Sequence, residues 1–343
     1  MMRPSIVQLE REGKVFVIAE VAQAHDGSLG ILHSFIDACA DANVDAVKFQ
    51  IHIAEAESSE QEPFRIHFSH VDATRYDYWK RMSFAEVDWV GVKQHCDDAG
   101  VEFLATPFSN AAVDLLERLD VVRYKIGSGD VTNALLVERV ARTGKEAILS
   151  TGLSTLEEIG RAVDVLRPSG VAVLQCTTRY PTAAEDVGLG AIAELRRQLG
   201  CPTGLSDHSG SIYAGIAAAA VGSSVVEAHV AFDRRMFGPD AKASLTVDEF
   251  ARLVEGIRFV ERARGGNAGK DLNPELANLR ATFGRTIAVN RDLPAGHVLR
   301  FEDLEGKKPA GLGLATSELP HVLGRRLRHA KTKWDFLGEA DLA

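Results

Sequence analysis

Cysteine, aromatic residues and positive charge are all in short supply in this 343-residue chain. The four cysteines, Cys39, Cys96, Cys176 and Cys201, are scattered and form no CxxC pair. That excludes a disulfide framework and a cysteine zinc cage; a reducing cytoplasm suits them, with each thiol a small buried hydrophobe. The formal net charge of −9 argues against a broad surface for nucleic acid or anionic membrane. A local Lys/Arg cluster can still hold a small anionic substrate. No apolar run approaches the roughly 20 residues that span a bilayer. The first fourteen residues mix charges with few apolar side chains and lack a signal-peptide core. Aromatics make up 7% of the chain, so a cluster such as Tyr76, Tyr78 and Trp79 stands out. What remains, 45% hydrophobic and 25% charged residues, is the composition of an ordinary globular protein. Cores rarely grow past about 250–300 residues, so this length implies two domains, or one large α/β barrel with an appendage.

The pattern that is present is alternation. Short runs rich in Val, Ile, Leu and Phe fall at 15–20, 45–50, 102–106, 122–126, 146–150, 171–176, 202–206 and 223–229. Stretches of helical spacing lie at 29–42, 84–99, 110–119, 132–143, 155–166, 188–199, 212–221 and 246–263. Continuous apolar strands alternating with helices read as a parallel sheet covered on both faces, and eight such units close a (β/α)8 TIM barrel. From Ser150 to Cys176 to Ser206 to His229 the strand ends step by 26, 30 and 23 residues, whereas Lys48 to Thr106 takes 58. The excess, 51–82, reads as a long loop that builds an active site or interface, or as a decorative insertion. Its histidines, His52, His67 and His70, read as surface residues. The barrel is expected over 1–264 and a linker over 265–281, where Gly and Asn accumulate. A small β-rich unit follows at 282–343, too short to bury much core alone.

The C-terminal ends of barrel strands meet at one pocket. Here they carry Glu20, Lys48 and Gln50, Thr106, Lys125 with Ser128 and Asp130, Ser150, Ser206-Asp207-His208, and His229. Buried unpaired polar groups cost several kcal/mol, so folding alone does not account for this convergence. Neighbouring strands lie about 4.8 Å apart, which lets His208 and His229 reach one metal ion. A satisfied core histidine or a general base is the alternative. Lys48, Lys125, Ser128, Ser150 and Ser206 form a divided anion site for a carboxylate and a phosphate. Asp130, after the Gly127-Ser128-Gly129 turn, is either a proton carrier or the anchor of an Asx turn or helix cap. Tyr180 is placed to reach a polyol, and Asp240 either holds sugar hydroxyls or sits in a solvent-facing turn.

The strings IAEVAQAHDGS (18–28), DAVKFQ (45–50), FLATPF (103–108), YKIGSGD (124–130), ILSTGLSTLEEI (148–159), LQCTTRYPT (174–182), GLSDHSG (204–210), VEAHVAFDR (226–234) and GPDAKASL (238–245) together resemble the sialic acid synthase family, N-acetylneuraminate synthase and its relatives. GRTIAV (284–289) and PAGHVLRFEDL (294–304) resemble the start of that family's antifreeze-like (SAF) C-terminal domain. The resemblance implies metal-dependent condensation of phosphoenolpyruvate with an N-acylated hexosamine and water, releasing phosphate by C–O cleavage. It implies N-acetylmannosamine as default acceptor, with a 2,4-diacetamido-hexose of legionaminate or pseudaminate synthesis as rival. By the same analogy His208 and His229 hold Mn²⁺, Mg²⁺ or Co²⁺, and Lys48, Thr106, Lys125, Ser128, Ser150, Thr178 and Ser206 bind phosphoenolpyruvate. Gln50, Tyr180 and Asp240 hold the sugar, Asp130 shuttles protons, and Glu20 sits under the reacting carbons. A domain-swapped homodimer is implied, with Arg285 acting in trans on the N-acyl group. Three positions depart from the common pattern: Asp130 for Glu, Thr178 for Asn, and Ala24 in place of the Asn of an Asn-His pair. A related condensing enzyme acting on an unacylated sugar, or a non-catalytic carbohydrate binder, are the competing classes.

Overall fold

The computed structural model describes residues 3–66, 68–266 and 274–343, so His67 and part of the expected linker lie outside the described residues. By internal contacts the chain divides into two compact units, Met1–Gly266 and Asn267–Ala343. Among the described residues no helix is long and apolar enough to cross a membrane.

The first unit is a closed barrel. Its strands are β1 (Phe16–Glu20), β2 (Ala46–Ile51), β3 (Glu102–Pro107), β4 (Arg123–Ile126), β5 (Glu146–Ser150), β6 (Val171–Cys176), β7 (Thr203–Asp207) and β8 (Val225–Ala231). All pair in parallel in chain order, and β1 closes the ring on β8 with Glu20 beside His229. A two-residue β9 (Leu245–Thr246) adds to β8. Helices between the strands start where the sequence supplies a side-chain cap: Ser28, Ser109, Thr155, Ser211 and Thr246 each accept a backbone N–H of the turn they open. Such caps contribute about 1 kcal/mol apiece.

Because strand side chains alternate between faces, parity sorts each strand into lumen and helix sides. Val17, Val47, Phe103, Tyr124, Leu149, Val173, Leu205 and Val226 pack outward with the helices in the main core. The other parity fills the lumen in layers. Lowest is a buried ion cluster, Arg123 with Glu102 (2.7 Å) and Glu146. Above it lies an apolar plug of Phe16, Ile18, Ala46, Leu104, Ile148, Ala172, Leu174 and Val225. Gly204 is the strand residue where the lumen is tightest, since a Cβ there would stand 2.0 Å from the Val225 carbonyl oxygen. The next residues of the same parity, at the C-terminal ends, are polar.

Several expectations need correction. The first fourteen residues contain a helix, Ile6–Arg11, whose Ile6 and Leu9 join the apolar plug and close the bottom of the barrel. Six residues are too few to announce a helix by periodicity. The 51–82 segment is more than loop: it carries helices Ala54–Glu57 and Arg75–Met82, and Ala54, Tyr78, Trp79 and Met82 form a small core of their own. His52 is not a surface residue; it is 4% exposed, whereas His70 is exposed as expected. The last barrel helix, Val247–Gly265, reaches into the expected linker, and the end of that linker is a helix, Ala277–Phe283. The second unit pairs β10 (Thr286–Val289) antiparallel with β11 (Leu304–Lys307) over Ile287, Val289, Leu293, Leu299, Leu314, Val322, Leu327, Leu337 and Leu342.

Candidate active site

A cavity of about 430 Å³ opens at the C-terminal end of the barrel. Its walls bring together Glu20, Lys48, Gln50, Thr106, Lys125, Ser128, Asp130, Ser150, Thr178, Tyr180, Ser206, His208, His229 and Asp240, every expected site residue of the barrel but Asp207. Asp207, of the opposite parity, instead accepts from Ser209 and is not among the lining residues. Arg285 lies exposed in the second unit, where its Nη1 donates to the Gly306 carbonyl (2.8 Å).

The cavity floor is a cluster of charges. Lys48 Nζ stands 2.8 Å from Glu20 Oε2 and 3.7 Å from Glu227 Oε1, and donates to Thr106 Oγ1 (3.1 Å). Lys125 Nζ donates to Ser150 Oγ (2.6 Å) and lies 3.8 Å from Glu227 Oε1, which also accepts from Ser206 Oγ (3.1 Å). Glu227 is therefore the centre of the floor, and sequence reasoning missed it. The signal was available: it sits two residues before His229, on the same face of β8.

The four groups do not share the burden of burial equally. Burial works against charge on Lys48, but Glu20 and Glu227 outweigh it and hold the ammonium protonated. Burial likewise opposes the Glu227 carboxylate, and Lys125 and Lys48 overcome it. Burial wins at the other two: it depresses Lys125 and raises Glu20. An anion arriving beside Lys125 supplies the negative charge that restores its ammonium, so the floor favours anionic ligands. Three buried oxygens of the cavity lining have no hydrogen-bond partner here, Glu57 Oε2, Glu227 Oε2 and Thr178 Oγ1, while Glu20 Oε2 meets Lys48. Thr178 owes its position to Gly152, where a Cβ would stand 2.3 Å from Oγ1.

On the opposite wall His208 and His229 face each other with ring centroids 5.3 Å apart. His208 Nδ1 is 3.0 Å from the Thr177 carbonyl, which commits that nitrogen to donating and leaves Nε2 as the acceptor, met by the Tyr180 hydroxyl at 3.1 Å. Burial pushes His229 down to about 4, so its ring is neutral at pH 7. Two imidazoles at this separation, one with its tautomer set by a carbonyl, fit a borderline divalent cation. Among the described residues no group of three or more His, Cys, Asp or Glu forms a cage, so water or substrate would complete the coordination. Cys176 is buried as expected, yet it also receives the Ser128 hydroxyl at 3.4 Å and lies 3.9 Å from His208 Nδ1. Asp130 accepts from Asn133 Nδ2 (3.0 Å), and burial raises its carboxyl above the ordinary range; Asn133, not Asp130, caps the following helix.

At the rim, Arg65 of the long segment pairs with Asp240 (2.7 Å) and lies over the Tyr180 ring (4.2 Å). Phe64, Ile66, Phe68, Trp79, Phe108 and Leu153 add apolar surface to the rim beside these charges. The insertion is thus part of the cavity, not decoration.

Residues 35–269 match the model of the NeuB family. The chain belongs to the NeuB family. It is similar to the N,N'-diacetyllegionaminic acid synthase of Legionella pneumophila, 32% identical over 91% of this chain and 90% of that one. It is also similar to the pseudaminic acid synthase of Campylobacter jejuni strain 81-176, 30% identical over 96% of both. Among solved structures, the N-acetylneuraminic acid (sialic acid) synthetase of Leptospira borgpetersenii superposes with a TM-score of 0.69 at 29% identity, covering 77% of this chain and 90% of that one. The matched residues of this NeuB-family chain take in β2 to β8 of the barrel and leave β1 outside.

Proposed function

We propose that this NeuB-family chain is a nonulosonic acid synthase, condensing phosphoenolpyruvate with an N-acylated hexosamine and water. C3 of phosphoenolpyruvate attacks the open-chain aldehyde carbon, water adds at C2, and phosphate leaves by C–O cleavage, so every atom is accounted for. The observation that carries the reading is one cavity holding a two-lysine, three-serine floor beside two facing imidazoles. Lys48 and Lys125, with Thr106, Ser128, Ser150, Thr178 and Ser206, bind the carboxylate and phosphate. Glu20 lies under the reacting carbons. Asp130, its carboxyl raised by burial toward working pH, moves a proton near C2. Gln50, Tyr180 and Asp240 hold sugar hydroxyls. His208 and His229 would hold a divalent ion, Mn²⁺, Mg²⁺ or Co²⁺, which when bound polarises a carbonyl oxygen. We further propose that residues 282–343 are an antifreeze-like domain, that the chain forms a domain-swapped homodimer, and that Arg285 of this unit reaches the N-acyl group in the partner's cavity. A cytoplasmic location accords with a reaction that consumes phosphoenolpyruvate.

N-acetylmannosamine is the default acceptor. A second acceptor, a 2,4-diacetamido-hexose, is favoured by the apolar surface of the rim, which suits an additional acyl methyl, and by the names of the relatives. The test is phosphate release from phosphoenolpyruvate with each sugar, with and without chelator. Release with at least one N-acyl hexose, lost on chelation and at least about 100-fold lower in H208A, is expected. Absence of release with every N-acyl hexose would overturn the reading.

A further inference from the structure

The long segment places two more residues against the cavity that the mechanism above does not use. His52 is clamped face to face between Trp79 (4.0 Å between centroids) and Phe108 (4.6 Å). Only the edge of its ring is left for polar contact. Nδ1 lies 2.7 Å from Glu57 Oε1, and a carboxylate accepts, so Nδ1 carries the proton. Nε2 is then the accepting nitrogen, and Gln23 Nε2 donates to it at 2.7 Å. The second hydrogen of the Gln23 amide goes to Gln50 Oε1 (2.8 Å), which leaves the Gln50 nitrogen to donate to Glu20 Oε1 (2.6 Å). Each bond in this chain dictates the polarity of the next. With the other tautomer at His52, Nε2–H would face the Gln23 amide nitrogen at 2.7 Å, donor against donor, and would compete with Gln23 for Gln50 Oε1 (3.3 Å), so the Gln23 amide would lose its place.

We propose that His52 and Glu57 are positioning residues of the acceptor-sugar subsite. Glu57 sets the tautomer of His52, and His52 sets which way the Gln23 and Gln50 amides point around Glu20. The consequence is a fixed pattern of donors and acceptors on the cavity wall where Gln50 meets the sugar. Glu57 adds to it directly: its side chain is 6% exposed, its Oε2 has no partner, and it lines the cavity, offering an acceptor to a hydroxyl or amide N–H of the ligand. The relay meets the phosphoenolpyruvate floor at the Glu20–Lys48 pair (2.8 Å), but Lys48 keeps its bond to Thr106 and Lys125 its bond to Ser150 when the relay is broken. Loss of the pair is therefore felt by the sugar and not by phosphoenolpyruvate.

The inference rests on the proposed reaction, and steady-state kinetics of the full chain separate the two. The probe is whichever of N-acetylmannosamine and 2,4-diacetamido-hexose the wild type turns over faster. H52F keeps the aromatic clamp and E57L keeps the volume, but both break the relay. Each is expected to raise the sugar KM about tenfold or more while the phosphoenolpyruvate KM stays within about twofold. The double variant should be no worse than E57L alone, because the relay acts as one unit and Glu57 alone of the two also offers an oxygen to the ligand. E57Q, whose amide oxygen still accepts from Nδ1, should return the sugar KM to within about threefold of wild type. Unchanged sugar KM in both singles, a parallel rise of both KM values, or additive losses would each overturn the proposal. Should H52F fail to fold, the contrast between E57L and E57Q decides it. Wild-type protein inactive with every N-acyl hexose would remove the underlying reaction and this inference with it.

Discussion

The barrel lumen buries charge at both ends, and the two ends differ in one respect. At the bottom Arg123 spends its guanidinium on Glu102, on Glu146 and on the Pro4 carbonyl, while Glu146 also accepts from the backbone of Ile6. No side-chain atom of that cluster is left unpartnered among the described residues. At the top Lys48, Lys125, Glu20 and Glu227 are equally buried, yet Glu227 Oε2, Thr178 Oγ1 and Glu57 Oε2 lack hydrogen bonds beside an open cavity. Buried charge alone does not mark a functional site. Hydrogen bonding that the protein leaves unfinished does, since the cost of an unmet group is recovered only when a ligand arrives.

Replacing one cation at each end breaks the comparison most directly. K125M should lower kcat/KM for phosphoenolpyruvate by about 10³-fold, the cost of removing a desolvated partner from an anion, while the protein stays folded. Steady-state kinetics and a melting curve check both halves. R123M should do the reverse. It leaves two carboxylates buried without their cation, destabilising the barrel by about 3–5 kcal/mol in denaturant titration, with kcat/KM within about threefold below the transition.

Acid acts with opposite signs on two buried sites, the bottom carboxyls and His25. Burial outweighs Arg123 at Glu102 and Glu146 and raises both carboxyls, so the folded bottom binds protons more readily than the unfolded chain and gains stability as pH falls. His25, in the turn after β1, is 2% exposed and pushed down by burial to about 3. Its folded pKa lies below the unfolded value of about 6.5, so its contribution is complete above that value and is lost as pH falls toward 3. The unfolding free energy of wild type minus that of H25F should therefore drop by up to about 4 kcal/mol between pH 7 and pH 3. A flat difference would show that the ring is not held neutral. The smallest effect is expected at Thr178. T178V removes an unpartnered hydroxyl, so stability should hold or rise by up to about 1 kcal/mol. The phosphoenolpyruvate KM should nevertheless rise several-fold, and a fall in stability would show that the hydroxyl already has a partner.

Much of this arrangement was legible in one dimension. The strands, their helices and the polar strand ends follow from local periodicity, and Lys48, Lys125, Ser150, Ser206, His208 and His229 all reach the cavity from those ends. Glu227 was hidden by its apolar neighbours in VVEAHVA, although parity with His229 pointed to it. Gln23, His52 and Glu57 gave no comparable signal. Their meaning lies in contacts between the turn after β1 and the segment after β2, and a histidine in a polar stretch reads as solvated until Trp79 and Phe108 are seen to enclose it. The helix Ile6–Arg11 was missed for a different reason: it is held by docking on the plug, not by length or amphipathic repeat.

The sequence by itself determined the succession of strands and helices and the family's motifs, because side-chain periodicity and capping depend on residues within a turn or two of each other. Tertiary structure decided which buried charges are satisfied and which stay available. That depends on ring closure bringing Glu20 beside His229, on Pro4 reaching Arg123, and on the 51–82 segment folding over the cavity mouth. A hydrogen bond is met or unmet according to atoms far apart in the chain, and only the closed barrel brings those atoms within reach.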